Sequence, residues 1–428
     1  MQNRRPFLLI LVAIATASLV ACSSSSQGSP IVPPGGSTTE KVLHSFAGTD
    51  GSYPDSSLVA LNSLFFGTTV IGGGSGCPKV KGCGTVYSVD AAGHLTVLVT
   101  FAGGTDGEAP NQLLLDSGEL YGTTEFGGGT GCTNKGGNTT GCGTVFQLSP
   151  SGVENIIYRF PGGETGALPS SGLTKLNSVF YGEAAAGGKG TCYYADQQGC
   201  GLVYSVTKSG IAKVIYTFAG GADAASPTGG LTAYGADLYG TSTAGGANPK
   251  CGSSYIGACG TVFKVSPSGT ETVLHRFSGK RDGAYPDTRL VLLNGTFYGT
   301  TSGGGGDCGV TAYYMGCGTV FSITPSGTKK TIHNFAMGSG GNDPSGLFAL
   351  NGVLYGTTVG GGDDRNCECG TFFKMSPSGQ ETVLYSFTGK PDAAGPSSPF
   401  LFEDGTFYGV SGGGGSSGLG TVFSLTLK

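Results

Sequence analysis

The tetrapeptide GTVF, with variants GTVY, GLVY and GTFF, returns at positions 84, 143, 201, 260, 318, 370 and 420. The steps between copies are 59, 58, 59, 58, 52 and 50 residues, a period that marks repeated structural units rather than one large sandwich. Upstream of each copy lies an aromatic-glycine element: FFGTT (65–69), LYGTT (120–124), FYGEA (180–184), LYGTS (238–242), FYGTT (297–301), LYGTT (354–358) and FYGVS (407–411). Downstream come a turn such as SPSGTE, a short apolar run such as VLHRF, and a connection such as SGKRDGAYPDTRL (278–290), with Asp-Gly and Pro.

These segments read as four short strands per unit. In the fifth unit the four are Leu290–Leu293, Thr296–Thr300, Thr319–Ile323 and Thr272–Phe277, with Asn294-Gly295 and Pro325-Ser326-Gly327 as tight turns. Four antiparallel strands repeated seven times predict an all-β, seven-bladed β-propeller. The chain ends support a closed ring, because the last unit stops after its third strand while the repeat region opens on an orphan fourth strand, KVLHSF (41–46). That N-terminal strand is expected to complete the last blade and remove an open sheet edge.

Composition agrees and excludes rivals. With 83 glycines, no tryptophan and 12% charged residues, the chain is too rich in turn formers for a helical fold. A net charge of −4, with no basic cluster beyond the first residues, lacks the footprint that phosphate backbones require, so no nucleic acid partner is expected. There is no P-loop, dinucleotide fingerprint or nucleophile elbow, and the four histidines fall in separate units.

Residues 1–22 read as a targeting segment, with Arg4 and Arg5 before an apolar run from Phe7 to Val20 that is too short to span a bilayer. Leu19-Val20-Ala21-Cys22 resembles the bacterial lipobox, which implies acylation of Cys22 and a membrane partner reached through the lipid anchor alone. Ser23, rather than Asp, after that cysteine resembles lipoproteins sorted to the outer membrane. Residues 23–40 are a Ser/Pro/Gly tether with nothing to bury. Residues 41–428 form the repeat domain, expected to be a monomer.

The pattern LYGTT…GG…GTVF…P.G…L..F.G..DG..P over 41–428 resembles the GloVer-type (choice-of-anchor) tandem repeat of bacterial exported and surface proteins. That resemblance implies an extracytoplasmic propeller-like repeat and carries no established activity. The third unit departs from the pattern with FYGEA and GLVY, so an irregular third blade is expected.

Twelve cysteines fall in pairs in units one to six: Cys77/Cys83, Cys132/Cys142, Cys192/Cys200, Cys251/Cys259, Cys308/Cys317 and Cys367/Cys369. Their separations of 6, 10, 8, 8, 9 and 2 fit no zinc motif, and an exported chain meets an oxidising compartment. Local disulfides across the neck of each Gly-rich loop are the expectation, except that Cys367/Cys369 would close a tight, strained and reducible ring and is the pair left open to thiol chemistry.

In an up-and-down blade, the cysteine loops share one face with the DG…P connections, and the other face holds only tight turns. Long loops on a rigid scaffold are where binding concentrates. That face is expected to offer Tyr53, Tyr193, Tyr194, Tyr255, Tyr285, Tyr313 and Tyr314 to a glycan or protein ligand, since tyrosine stacks on rings while its hydroxyl bonds. Asp50, Asp106, Asp223, Asp282 and Asp392 each stand four residues before a proline. They either cap their own turns or form a carboxylate ring able to take calcium, and no cofactor is required. The leading expectation is a non-catalytic binding or scaffolding module. Its rivals are a polysaccharide hydrolase or lyase with carboxylates such as Asp50, Asp106, Asp282 and Asp392 converging at the axis, and a purely structural surface repeat.

Overall fold

The computed structural model describes residues 38–427 except 75, 78–81, 130, 133–140, 248–250, 252–257, 307, 309–315, 364–366 and 368. Seven four-stranded antiparallel blades form the ring, and in blades two to four the first strand is split into two short segments. Thr39–Ser45 pairs with Thr421–Thr426, from Thr39 opposite Thr426 to Ser45 opposite Thr421, so the N-terminal strand closes the seventh blade. The closing strand starts at Thr39, two residues inside the segment expected to be tether. Thr272–Phe277 sorts with the fourth blade, where Glu271–Arg276 pairs with Thr261–Val265, and Lys329–Asn334 is the fourth strand of the fifth.

The repeated residues recur because each makes the same contact with the next blade. The phenylalanine ending each fourth strand lies edge-on or tilted against the GTVF aromatic of the following blade: Phe46 on Tyr87, Phe101 on Phe146, Phe160 on Tyr204, Phe218 on Phe263, Phe277 on Phe321, Phe335 on Phe373 and Phe387 on Phe423. Centroid separations run from 4.9 to 5.6 Å, where such pairs contribute about 0.5–1.5 kcal/mol each beyond area burial. Third strands are sandwiched between blades and buried on both faces, while fourth strands form the half-exposed outer edge.

A second contact involves the proline of each connection. Its ring Cδ would stand 2.4–2.9 Å from a Cβ on the GTVF glycine of the preceding blade, and that glycine has φ between +89° and +104° in all seven copies. Both facts demand glycine there. The residue before each proline also has positive φ (Tyr53, Ala109, Leu168, Ser226, Tyr285, Asp343 and Gly395). Its N–H donates back to the preceding blade at 2.8–2.9 Å, onto the carbonyls of Leu419, Cys83, Cys142, Cys200, Cys259, Cys317 and Cys369 in turn.

Blade three is as regular as its neighbours, contrary to expectation. In the other six blades a hydroxyl from the GTT element meets the GTVF threonine, as in Thr124 with Thr144 and Ser411 with Thr421, both at 2.8 Å. Blade three replaces the pair with Ala184 opposite Leu202, both fully buried. An apolar pair of matched size leaves no unsatisfied hydroxyl, so the departure is compensated within the blade.

Candidate functional site

The six cysteine pairs are joined as disulfides with Cα–Cα separations of 4.8–5.2 Å, although the partners lie 2 to 10 residues apart in sequence. The neck is therefore constant and only the loop beyond it varies. The second cysteine of each pair is at most 6% exposed. In five blades the sulfurs pack against a glycine of the outgoing connection, such as Gly103 beside Cys77 and Cys83. Blade seven has no cysteines, and Leu419 occupies the second-cysteine position with its Cδ1 over Gly48.

The stapled necks lie on one face, and the expected tyrosines among the described residues differ in what they present there. Tyr193–Tyr194 and Gln197–Gln198 form a small hairpin standing out of blade three inside the Cys192–Cys200 staple. Ala195 and Asp196 turn it with positive φ. Tyr193 is 67% exposed, directly opposite exposed Gln198. Tyr194 packs its ring against the core of blades two and three, and Tyr53 is half-buried. Tyr285 does not reach the surface: it is buried beneath its loop, and its hydroxyl donates to the Cys251 carbonyl at 3.0 Å. Tyr255, Tyr313 and Tyr314 lie outside the described residues.

The five aspartates do not converge into a ring; each is turned into its own connection. Backbone N–H groups of Ala47, Ala102, Ala219, Ser278 and Thr388 donate to Asp50, Asp106, Asp223, Asp282 and Asp392 at 2.8–2.9 Å. Most also bind a fourth-strand side chain: His44 to Asp50, Tyr216 to Asp223, His275 to Asp282 and Tyr385 to Asp392. The next blade's fourth strand then closes over the pair. Lys329 brings its ammonium to Asp282 at 2.7 Å, whereas Glu154, Glu271 and Glu40 bring a second carboxyl beside Asp106, Asp223 and Asp392. Among the described residues no group of three His, Cys, Asp or Glu side chains is arranged to hold a metal.

A different set of charges meets at the axis. The residues just after each proline begin the innermost strands and line the central opening. Arg289 of blade five lies over Gly230 of blade four and donates from Nη2 to the Gly172 carbonyl of blade three at 3.4 Å. Glu183 stands where five other blades carry the first threonine of GTT and accepts from the Gly230 N–H at 2.8 Å. Burial pushes its carboxyl up to about 7, against the opposing pull of that N–H, Arg289 and Ser171. Gln112 donates to the Ser57 hydroxyl across the seam between blades one and two.

Three further carboxyls share the opening. Asp287 is pushed up to about 7 by burial and then by the negative charge of Asp343, with Asp55 adding to it, while its own backbone N–H and the Ser302 hydroxyl pull the other way. Asp343 is raised to about 6 by burial. Asp55 is raised by burial despite accepting from Ser397 Oγ at 2.9 Å. Asp55 and Asp287 directly after a connection proline, Asp343 directly before one, and Glu183 in FYGEA were the signals of this set in the sequence.

Solved structures similar to this chain include a gluconolactonase from Xanthomonas campestris, at 12% identity and a TM-score of 0.43, covering 91% of this chain and 90% of that one. Another is a hypothetical selenium-binding protein from Sulfolobus tokodaii, at 11% identity and a TM-score of 0.45, covering 70% and 71%. Neither likeness bears on the chemistry of this chain. No curated protein matches it. The family described as the Gloeobacter/Verrucomicrobia repeat matches residues 30–189, 128–315 and 308–428. Those overlapping matches run over the whole propeller, and the chain belongs to the Gloeobacter/Verrucomicrobia repeat family.

Proposed function

We propose that this protein is a non-catalytic binding module, lipid-anchored through Cys22 to the bacterial outer membrane, that takes a glycan or protein ligand on its long-loop face. Six disulfides fit an oxidising, extracytoplasmic compartment, and no helix among the described residues is long and apolar enough to cross a membrane. The observation that carries the reading is the stapled hairpin that presents Tyr193 beside Gln198. An aromatic face next to an amide suits a sugar, with the ring stacking on its C–H face and the amide bonding its hydroxyls. Glycan-array binding by a soluble form beginning at Ser23, with and without calcium, tests it. Binding should fall at least about tenfold in Tyr193→Ala, the loss of roughly 1.4 kcal/mol. A blank array together with no protein captured at the envelope would leave a structural repeat.

The axial carboxyls favour one second reading, an enzyme acting on polysaccharide. Paired acids of raised proton affinity, such as Asp287 beside Asp343, are the groups glycoside hydrolysis uses for proton transfer. It requires reducing-end release from a polysaccharide panel that disappears in Asp287→Asn, and silence across the panel sinks it.

A further inference from the structure

The strand directions fix where the tether leaves the ring. In every blade the fourth strand runs from the tight-turn face to the long-loop face, so Thr39, the first residue of the closing strand, lies on the tight-turn face. The 16 residues 23–38 separate it from Cys22. Fully extended they reach roughly 55 Å at about 3.4 Å per residue, and any less extended path brings that face closer to the lipid.

The same face carries an apolar feature that nothing in the ring covers. Val153 and Ile211 occupy equivalent places in the third-to-fourth turns of blades two and three and are 70% and 71% exposed. In the next blade Tyr234, at the first-to-second turn, is 39% exposed. Other turns hold polar residues at the Val153 position: His94, Thr270, Thr328 and Gln380. The apolar turns thus form an arc over blades two to four, across the ring from blade seven where the tether departs. A chain attachment at one edge and apolar side chains at the opposite edge of one face define a plane.

We propose that the tight-turn face is the membrane-facing side of the anchored protein, with Val153 and Ile211 inserted into the interface of the bilayer that holds the lipid on Cys22, and the long-loop face turned outward. The occupant of the patch is the bilayer itself, brought to it by the tether. The inference rests on the lipid-anchor part of the function proposed above and is independent of which ligand meets Tyr193. Side chains of this kind at a lipid boundary strengthen attachment by apolar burial in the headgroup region and set orientation.

The absence of tryptophan from the chain makes the test direct. Val153→Trp, Ile211→Trp and Tyr193→Trp each create a single reporter at an exposed site. The full-length acylated protein is reconstituted in phosphatidylethanolamine/phosphatidylglycerol vesicles and recovered by flotation. Emission from the reporters at 153 and 211 should shift to the blue on reconstitution and lose at least half its intensity with brominated lipid. The reporter at 193 should stay red and be quenched by aqueous iodide instead. If the protein floats but all three reporters behave alike, or the one at 193 is the one quenched by lipid, the orientation is overturned. If it fails to float, as Cys22→Ser should, the anchor reading and this inference fall together, whereas glycan binding through Tyr193 stands or falls separately on the array.

Discussion

Thr124 and Thr144 meet hydroxyl to hydroxyl, and Ala184 and Leu202 meet side by side at the equivalent place one blade on. The chain thus contains both solutions to one buried position. Thr124→Ala alone leaves the Thr144 hydroxyl buried without this partner, and Thr144→Leu alone crowds Thr124; each should cost about 1–3 kcal/mol. The double variant, which copies blade three, should cost less than the sum of the two by at least about 0.5 kcal/mol in a denaturant cycle. Strict additivity would show that the two positions are not coupled. Gly143→Ala is expected to be worse than any of these, because φ is +101° and the Pro169 ring occupies the space. A loss of at least ~3 kcal/mol is expected, with the damage appearing at the seam between blades two and three. A neutral Gly143→Ala would refute the wedge.

At the scale of elements, the disulfide neck and the next blade's connection act as one joint. The carbonyl of Cys142 accepts from Leu168, and the sulfurs lie against Gly162. Replacing Cys132 and Cys142 together by serine should lower stability by about 2–3 kcal/mol, the chain-entropy value for a loop of this size. Mass mapping of unreduced peptides should recover Cys132 joined to Cys142, and any cross-blade linkage would break the pattern. These joints were legible in the sequence because they depend on residues close together in the chain. The axial carboxyls were not, since Asp55, Asp287 and Asp343 become neighbours only when the ring closes. The buried Tyr285 was misplaced for a related reason: its ring looks like loop surface until the Cys251 carbonyl arrives to accept its hydroxyl. FYGEA was read as a flaw in blade three, whereas Glu183 fills the seam above Gly230.

The whole molecule carries an unusual proton balance. Glu40, on the strand that closes the ring, is pushed up to about 8 by burial and then by Asp392, while its ordinary value is 4.5. A carboxyl that holds its proton more tightly when folded stabilises fully below the unfolded value, and this contribution is lost as pH rises through the folded one. Glu125, raised to about 8 by burial and Glu108, and Glu154, Glu271 and Asp287, raised to about 7 with burial the first cause, act in the same sense. Asp116, held down by Lys175 and Lys208, acts oppositely, stabilising above its ordinary 3.8 and losing that as pH falls. The melting temperature should therefore be highest at mildly acid pH, between about 4 and 6, and fall steadily toward pH ~9. Glu40→Gln should flatten that decline, and a profile unchanged by the substitution would separate ring closure from this proton.

The constant disulfide neck has one more implication. Blade six spans it with partners two residues apart and blade two with partners ten apart, and both pin the following blade at the same carbonyl. Six sockets of common gauge accept inserts of different length without the ring registering the change. The scaffold is therefore a modular display frame, in which a foreign peptide spliced between a blade's cysteines would be presented outward while the seams on either side keep their fit.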